Sequence, residues 1–198
     1  MLEGSFKGKN FLQLEDFTPE ELRYLLDLSI RMKKEKKAGV DQRKDIGKNM
    51  LMLFEMESTR TRCSFETSAQ DLGMGTTYLS NSHFGTKETI KDSMRVFSAM
   101  YDVIAYRGKE HSQLVEMTKD CTIPIINGYT MHEHPTQMLA DFMTLDEVYG
   151  REGYKGKTFV YIGRGGACCA FSYAVACAMF GMNFKFITSF MSLEEAVS

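Results

Sequence analysis

MLMLFEMESTRTRCSFETSAQDLG, residues 50–73, decides how the chain is organised. It opens on MLMLFE, a short apolar run of strand length that ends at about Met56. It closes on SFETSAQDLG, which reads as a helix stopping at Gly73, the residue type that most often ends a helix. The helix start falls within Thr59 to Arg62. A strand that runs straight into a helix is the building unit of a parallel α/β sheet.

The alternation continues on both sides. Upstream, Thr18-Pro19-Glu20-Glu21 is a capping box with proline in the first turn. Leu22, Leu25, Leu26 and Ile30 follow at helical spacing, and the helix runs into RMKKEKK (31–37), a solvated end. Downstream, TTYL (76–79), DVIAY (102–106) and TIPII (122–126) read as strands. KETIKDSMRVFSAM (87–100), HSQLVEMTK (111–119) and PTQMLADFMTLDEVYG (135–150) read as helices between and after them. The expectation is an α/β fold over residues 1–150, a parallel four-stranded sheet with helices on both faces. Residues 151–198 add KTFVYIG (157–163), a glycine-rich turn, the helix ACCAFSYAVACAMFG (167–181) and the strand NFKFIT (183–188). That is one βαβ unit, the beginning of a second, Rossmann-like α/β domain. An open sheet needs more strands to cover its faces, so 151–198 reads as an incomplete domain of a truncated chain or a compact variant.

Composition narrows the function. The 198 residues are 43% hydrophobic and 25% charged, as in an ordinary soluble domain. A net charge of -2 and a pI near 6.1 argue against a nucleic-acid or membrane-surface partner. The opening MLEGSFKGKNF has no apolar signal core, and no run approaches the roughly 18 apolar residues of a membrane span. Five cysteines without disulfide-framework spacing fit a reducing cytoplasm. Cys168 and Cys169 are adjacent and form no CxxC pair, which argues against a zinc or redox centre.

The hydroxyls and arginines of STRTR (58–62) point to an anion. Ligands of a parallel α/β sheet sit beyond the carboxyl ends of its strands. A helix start there offers unpaired N–H groups and the positive end of the dipole. Ser58, Thr59 and Thr61 add hydroxyls, and Arg60 adds a guanidinium fork suited to phosphate. Capping alone would account for Ser58 and leave both arginines unexplained. Two further strand ends point the same way. YRG (106–108) puts Arg107 after DVIAY, and HEHPTQ (132–137) puts His134 and Gln137 at a helix start that Pro135 fixes. His111 and His132 read as structural. Donors without a carboxylate base suit polarisation of an acyl phosphate better than hydrolysis.

STRTRCSFE, then YRG, then HPTQMLAD closely resembles the aspartate/ornithine carbamoyltransferase family over roughly residues 5–150. The FE at 54–55, MYDVIAYRG and NGYT…HPTQMLADFMT are most like its ornithine branch. The resemblance implies that Ser58, Thr59, Arg60 and Thr61 grip the phosphate of carbamoyl phosphate. Thr61, Arg107, His134 and Gln137 would polarise its C=O. The δ-amine of ornithine would attack that carbon to give citrulline and phosphate, with no metal and no organic cofactor. It also implies a homotrimer in which NSHFGTKE (81–88) from a neighbouring subunit brings His83 and Lys87 to each site.

Three departures stand out. Met56 occupies a position that is usually lysine in the ornithine enzymes. The turn GRGGACC (163–169) carries Arg164, Ala167 and Cys168 where the family has an acidic residue and paired asparagines. The family's later H-C-L-P motif does not occur before Ser198. Three other readings follow: a non-catalytic carbamoyl-phosphate-binding or regulatory homologue, a carbamoyltransferase for aspartate or putrescine, and a dinucleotide-binding module. The last is disfavoured because Cys168 stands where GxGxxG needs glycine.

Overall fold

The computed structural model describes residues 6–80, 82–164 and 167–188. After a short 3-10 turn, Leu14–Asp16, comes α1, Pro19–Lys37. Its capping box is formed: the Thr18 side chain accepts from the Glu21 N–H, and the Glu21 carboxylate accepts from Thr18 N–H. Then follow β1 (Asn49–Phe54), α2 (Arg60–Leu72), β2 (Gly75–Leu79), α3 (Ile90–Met100), β3 (Val103–Arg107), α4 (His111–Met117), β4 (Ile125–Tyr129) and α5 (Pro135–Tyr149). The chain continues into β5 (Thr158–Ile162), α6 (Cys168–Phe180) and β6 (Asn183–Ile187).

The first four strands form one parallel sheet in the order β2-β1-β3-β4, as the alternation predicts. β1 is buried from Met50 to Phe54, as a strand covered on both faces must be. Leu51 and Leu53 pack with Ile104, Tyr106 and Ile125 against Met94, Leu114 and Met117 from α3 and α4. Met50, Met52 and Phe54 turn the other way, toward Ala69 and Phe65 of α2. Gly73 ends α2 at φ +83, a conformation that favours glycine.

Two boundaries move from the sequence reading. The fourth strand lies at 125–129, three residues later than TIPII suggests. Pro124 has no N–H to give the sheet, and its carbonyl accepts from Ile104 at the strand's entrance. Asn127-Gly128, a turn signal in isolation, is buried strand instead. The third helix begins only at Ile90, because the Thr89 hydroxyl caps it by accepting from the Asp92 N–H at 3.1 Å.

β5 and β6 form a separate two-stranded parallel sheet. α6 turns back toward the first unit. Its Ala176, Cys177 and Phe180 join Leu14, Leu22, Leu26, Met138 and Phe142 in one buried cluster. A charged contact lies beside it, where Arg23 of α1 meets Asp146 of α5 at 2.5 Å.

Candidate active site

The first half of the site is the start of α2. Thr59, not Ser58, is its N-cap residue, with φ -94 and ψ -64, and no side chain caps the helix. The first-turn N–H groups therefore have no side-chain acceptor from the cap, the state in which a helix end attracts an anion. The two arginines of the motif part ways here. Arg62 lays its guanidinium 3.7 Å over the Tyr78 ring and bonds Glu66 at 3.3 Å. Arg60 is exposed, and among the described residues no carboxylate pairs with it.

The second half is built where β1, β3 and β4 end. Register sets Phe54 beside Arg107, and Arg107 beside Tyr129. The turn after β1 is tied in: Glu55 N–H donates to the Arg107 carbonyl at 2.8 Å. The Glu55 carboxylate accepts from the Tyr106 phenol and from Gln113 Nε2 at 3.1 Å. The Arg107 guanidinium lies 4.4 Å from the Tyr129 ring centroid. Its Nε is buried and has no hydrogen-bond partner among the described residues. Burial lowers its pKa, yet from a guanidinium starting value it keeps its charge at any ordinary pH.

His134 is the N-cap residue of α5, with Pro135 next to it. Its ring meets Tyr129 edge-on at 5.4 Å, and Nδ1 lies 3.3 Å from Thr136 Oγ1. Burial first, and the Arg107 charge second, pull its pKa down to about 4, so the imidazole is neutral near pH 7. Thr61 reaches the same place from α2: a Cβ at Gly128 in β4 would lie 3.6 Å from Thr61 Cγ2. Glu133, next in sequence to His134, is fully buried. Its Oε2 accepts from Leu14 N–H at 3.0 Å, Oε1 has no hydrogen-bond partner among the described residues, and burial followed by Glu15 raises its pKa to about 8.

The structure thus gathers Thr61, Arg107 and His134 around the end of β4, with Ser58, Thr59 and Arg60 at the head of α2. Gln137 lies in the first turn of α5, but it is exposed and donates to Asp141 at 3.0 Å. His83 and Lys87 follow β2, the edge strand, with exposed side chains. Their loop is held by buried Phe84 and by the His83 carbonyl, which accepts from Thr86 and Lys87 N–H. Asn81, Gly165 and Gly166 lie outside the described residues, and Arg164 is exposed. Among the described residues no group of three or more His, Cys, Asp or Glu could hold a metal ion, and no helix is long and apolar enough to cross a membrane.

Sequence reasoning missed two residues here, Tyr129 and Ser172. Tyr129 follows Asn-Gly and was hidden by that turn signal. Ser172 of α6 accepts His134 N–H at 3.0 Å, a contact across 38 residues. Cys168, which the sequence reading set where the family has a paired asparagine, is buried at the start of α6, 3.8 Å from Cys169 Sγ.

A family model described as aspartate/ornithine carbamoyltransferase, carbamoyl-P binding domain, matches residues 9–147. A catabolic ornithine carbamoyltransferase of Treponema denticola is 47% identical over 182 residues, 91% of this chain and 53% of that protein. One from Mycoplasma capricolum subsp. capripneumoniae is 46% identical over 182 residues and 58% of its length. The solved ornithine carbamoyltransferase of Pyrococcus furiosus superposes with a TM-score of 0.88 at 34% identity, covering 96% of this chain and 61% of the other. The chain therefore spans little more than half the length of these curated relatives.

Proposed function

The chain belongs to the aspartate/ornithine carbamoyltransferase family, and from that premise we propose that it binds carbamoyl phosphate and serves carbamoyl transfer to the δ-amine of ornithine, giving citrulline and phosphate. The observation that carries this reading is Arg107: a guanidinium half-buried at a strand end, with an unpartnered Nε, beside a neutral imidazole.

The chemistry follows from those two groups. Ser58, Thr59, Arg60 and Thr61, with the α2 N–H groups, hold the phosphate as a leaving group. Arg107 donates to the carbamoyl oxygen, where negative charge grows as the amine adds. His134, uncharged, acts as a neutral hydrogen-bond donor and adds no second cation beside Arg107. Thr61 and Gln137 complete the donor set, Gln137 by exchanging its Asp141 contact for the ligand. The residues supply positioning and oxyanion stabilisation, with neither metal nor cofactor called on. Residues 1–150 form the carbamoyl-phosphate unit, and 151–198 contribute to the acceptor side. A homotrimer in the cytoplasm, with His83 and Lys87 reaching a neighbour's site, and a place in arginine metabolism belong to the same reading.

A second reading, a carbamoyl-phosphate binder with little turnover, is favoured by the turn before α6, where Arg164 is exposed and Ala167 makes no side-chain cap bond. Titration calorimetry with carbamoyl phosphate, run beside a colorimetric citrulline assay at saturating ornithine, separates the two. Binding with turnover in the ordinary range of roughly 1–10³ per second supports the transferase. Binding with only trace citrulline supports the second reading, and the absence of binding overturns both.

A further inference from the structure

No ligand contact is asked of Glu55, Tyr106 or Gly108, yet the fold brings all three to one point between the two halves of the site. Successive strand residues face opposite ways, so the Tyr106 ring enters the core with Met94 and Leu114 while Arg107 turns to Tyr129. Tyr106 is fully buried, and burial followed by the Glu55 bond raises its pKa, so the phenol keeps its proton and donates. Its acceptor, the Glu55 carboxylate, also accepts from Gln113 Nε2 at 3.1 and 3.2 Å. Gly108 leaves the room for this: a Cβ there would collide with the phenol oxygen and lie 2.7 Å from Glu55 Oε2, closer than real Cβ contacts come. The strand pairing is irregular at the same place. Tyr106 pairs with Asn127 and Arg107 with Tyr129, so Gly128 is skipped and the register slips just where Arg107 begins. Arg107 is then placed by the contacts that flank the slip. The Glu55 N–H sits on its carbonyl at 2.8 Å, the Gly108 N–H on the Tyr129 carbonyl at 3.1 Å, and the Tyr106 phenol on the Glu55 carboxylate.

We propose that Glu55, held by Tyr106 and Gln113, is a positioning residue of this site, which sets the phosphate-gripping turn at the head of α2 at a fixed distance from the Arg107 guanidinium. The proposal rests on the carbamoyl-phosphate reading given above and deepens it. Glu55 stands three residues before Ser58 in the turn that feeds α2, and both its backbone N–H and its carboxylate bond to β3, the strand that ends in Arg107. Carbamoyl phosphate has to reach both halves at once, its phosphate on Ser58 to Thr61 and its carbonyl oxygen on Arg107. Groups that must meet one small ligand at both ends tolerate little drift, and a misplacement of about 1 Å can cost roughly a hundredfold in rate. Inorganic phosphate needs only the α2 half, so it does not feel the link.

The test compares carbamoyl phosphate with inorganic phosphate by titration calorimetry on the 198-residue chain, the second ligand read as a competitor of the first. Tyr106→Phe keeps the buried ring and removes only the hydroxyl. It should lower carbamoyl-phosphate affinity at least about tenfold, as loss of one hydrogen bond to a charged group does, and change phosphate affinity by less than about threefold. Glu55→Ala should repeat that split. Glu55→Gln should hold carbamoyl-phosphate affinity within about threefold of the parent. It keeps an oxygen for the phenol, and the Gln113 amide can turn its own oxygen to the new NH2. A structural role alone would lower the melting temperature and leave the ratio of the two affinities where it was. That result in Tyr106→Phe and Glu55→Ala overturns the proposal, and so does a Glu55→Gln chain as impaired as Glu55→Ala. Absence of carbamoyl-phosphate binding by the parent chain would overturn it together with the reading it rests on. If Tyr106→Phe does not fold, Glu55→Ala, changed at an exposed position, decides the matter.

Discussion

Arg62 spends its guanidinium on Tyr78 and Glu66, whereas Arg60, two residues earlier, points to solvent without a carboxylate among the described residues. Arg60→Ala should therefore remove more than one charged hydrogen bond to a bound phosphate, about 3 kcal/mol, and lower carbamoyl-phosphate affinity over about a hundredfold. Arg60→Lys should fail almost as badly, because an ammonium lacks the planar fork. Calorimetry giving near-equal affinities for the three forms would remove Arg60 from the site. Glu133 invites a different measurement. Its carboxyl titrates at about 8 in the fold and lower in the unfolded chain, so the stability it lends is full in acid and lost as pH rises through 8. His134 has the opposite sign: its contribution is present above the unfolded value of about 6.5 and lost as pH falls through about 4. Glu133→Gln keeps an acceptor for Leu14 N–H and cannot ionise. Its melting temperature should gain on the parent chain as pH goes from 5 to 9, by about 2 kcal/mol of stability or more at the alkaline end. Parallel curves would mean that Glu133 does not carry the buried proton.

Among the elements, α6 has the clearest influence on chemistry it does not contain. Ser172 is fully buried, and its hydroxyl is the partner of the His134 N–H at the head of α5. Ser172→Ala should leave that N–H unsatisfied, costing roughly 1–3 kcal/mol in denaturant unfolding. An NMR titration of the His134 imidazole should also move toward the ordinary histidine range as the ring gains solvent. An unchanged titration with lowered stability would make Ser172 structural only. The same element shows where reading the sequence stops. The heads of α2 and α5 were legible because each carries a local signal: a polar cluster after an apolar run, and a proline after His134. The end of β4 was not, because Asn127-Gly128 makes a turn in isolation. It becomes strand only when the Asn127 amide reaches the Leu12 carbonyl at 2.7 Å, a partner 115 residues away. Tyr129 and Ser172 share that cause: their meaning comes from tertiary neighbours, and no spacing along the chain encodes it.

For the whole molecule, the place of His83 and Lys87 matters most. They lie beyond the edge strand β2, while Arg107 and His134 lie on β3 and after β4. On the reading proposed above, His83 and Lys87 serve the site of a neighbouring copy of the chain. Mixing an Arg60→Ala chain with a Lys87→Ala chain should then restore part of the carbamoyl-phosphate binding that each loses alone. A monomer by light scattering at micromolar concentration would exclude shared sites. The buried cluster around Phe142 carries a further consequence. It joins Leu14, Leu22 and Leu26, made early on the ribosome, to Ala176, Cys177 and Phe180, made some 150 residues later. During synthesis the apolar stripe of α1 stays open until Met138 and Phe142 of α5 are made, and its cover is complete only with α6. Such long-range closure is slow, so the last part of this core forms late.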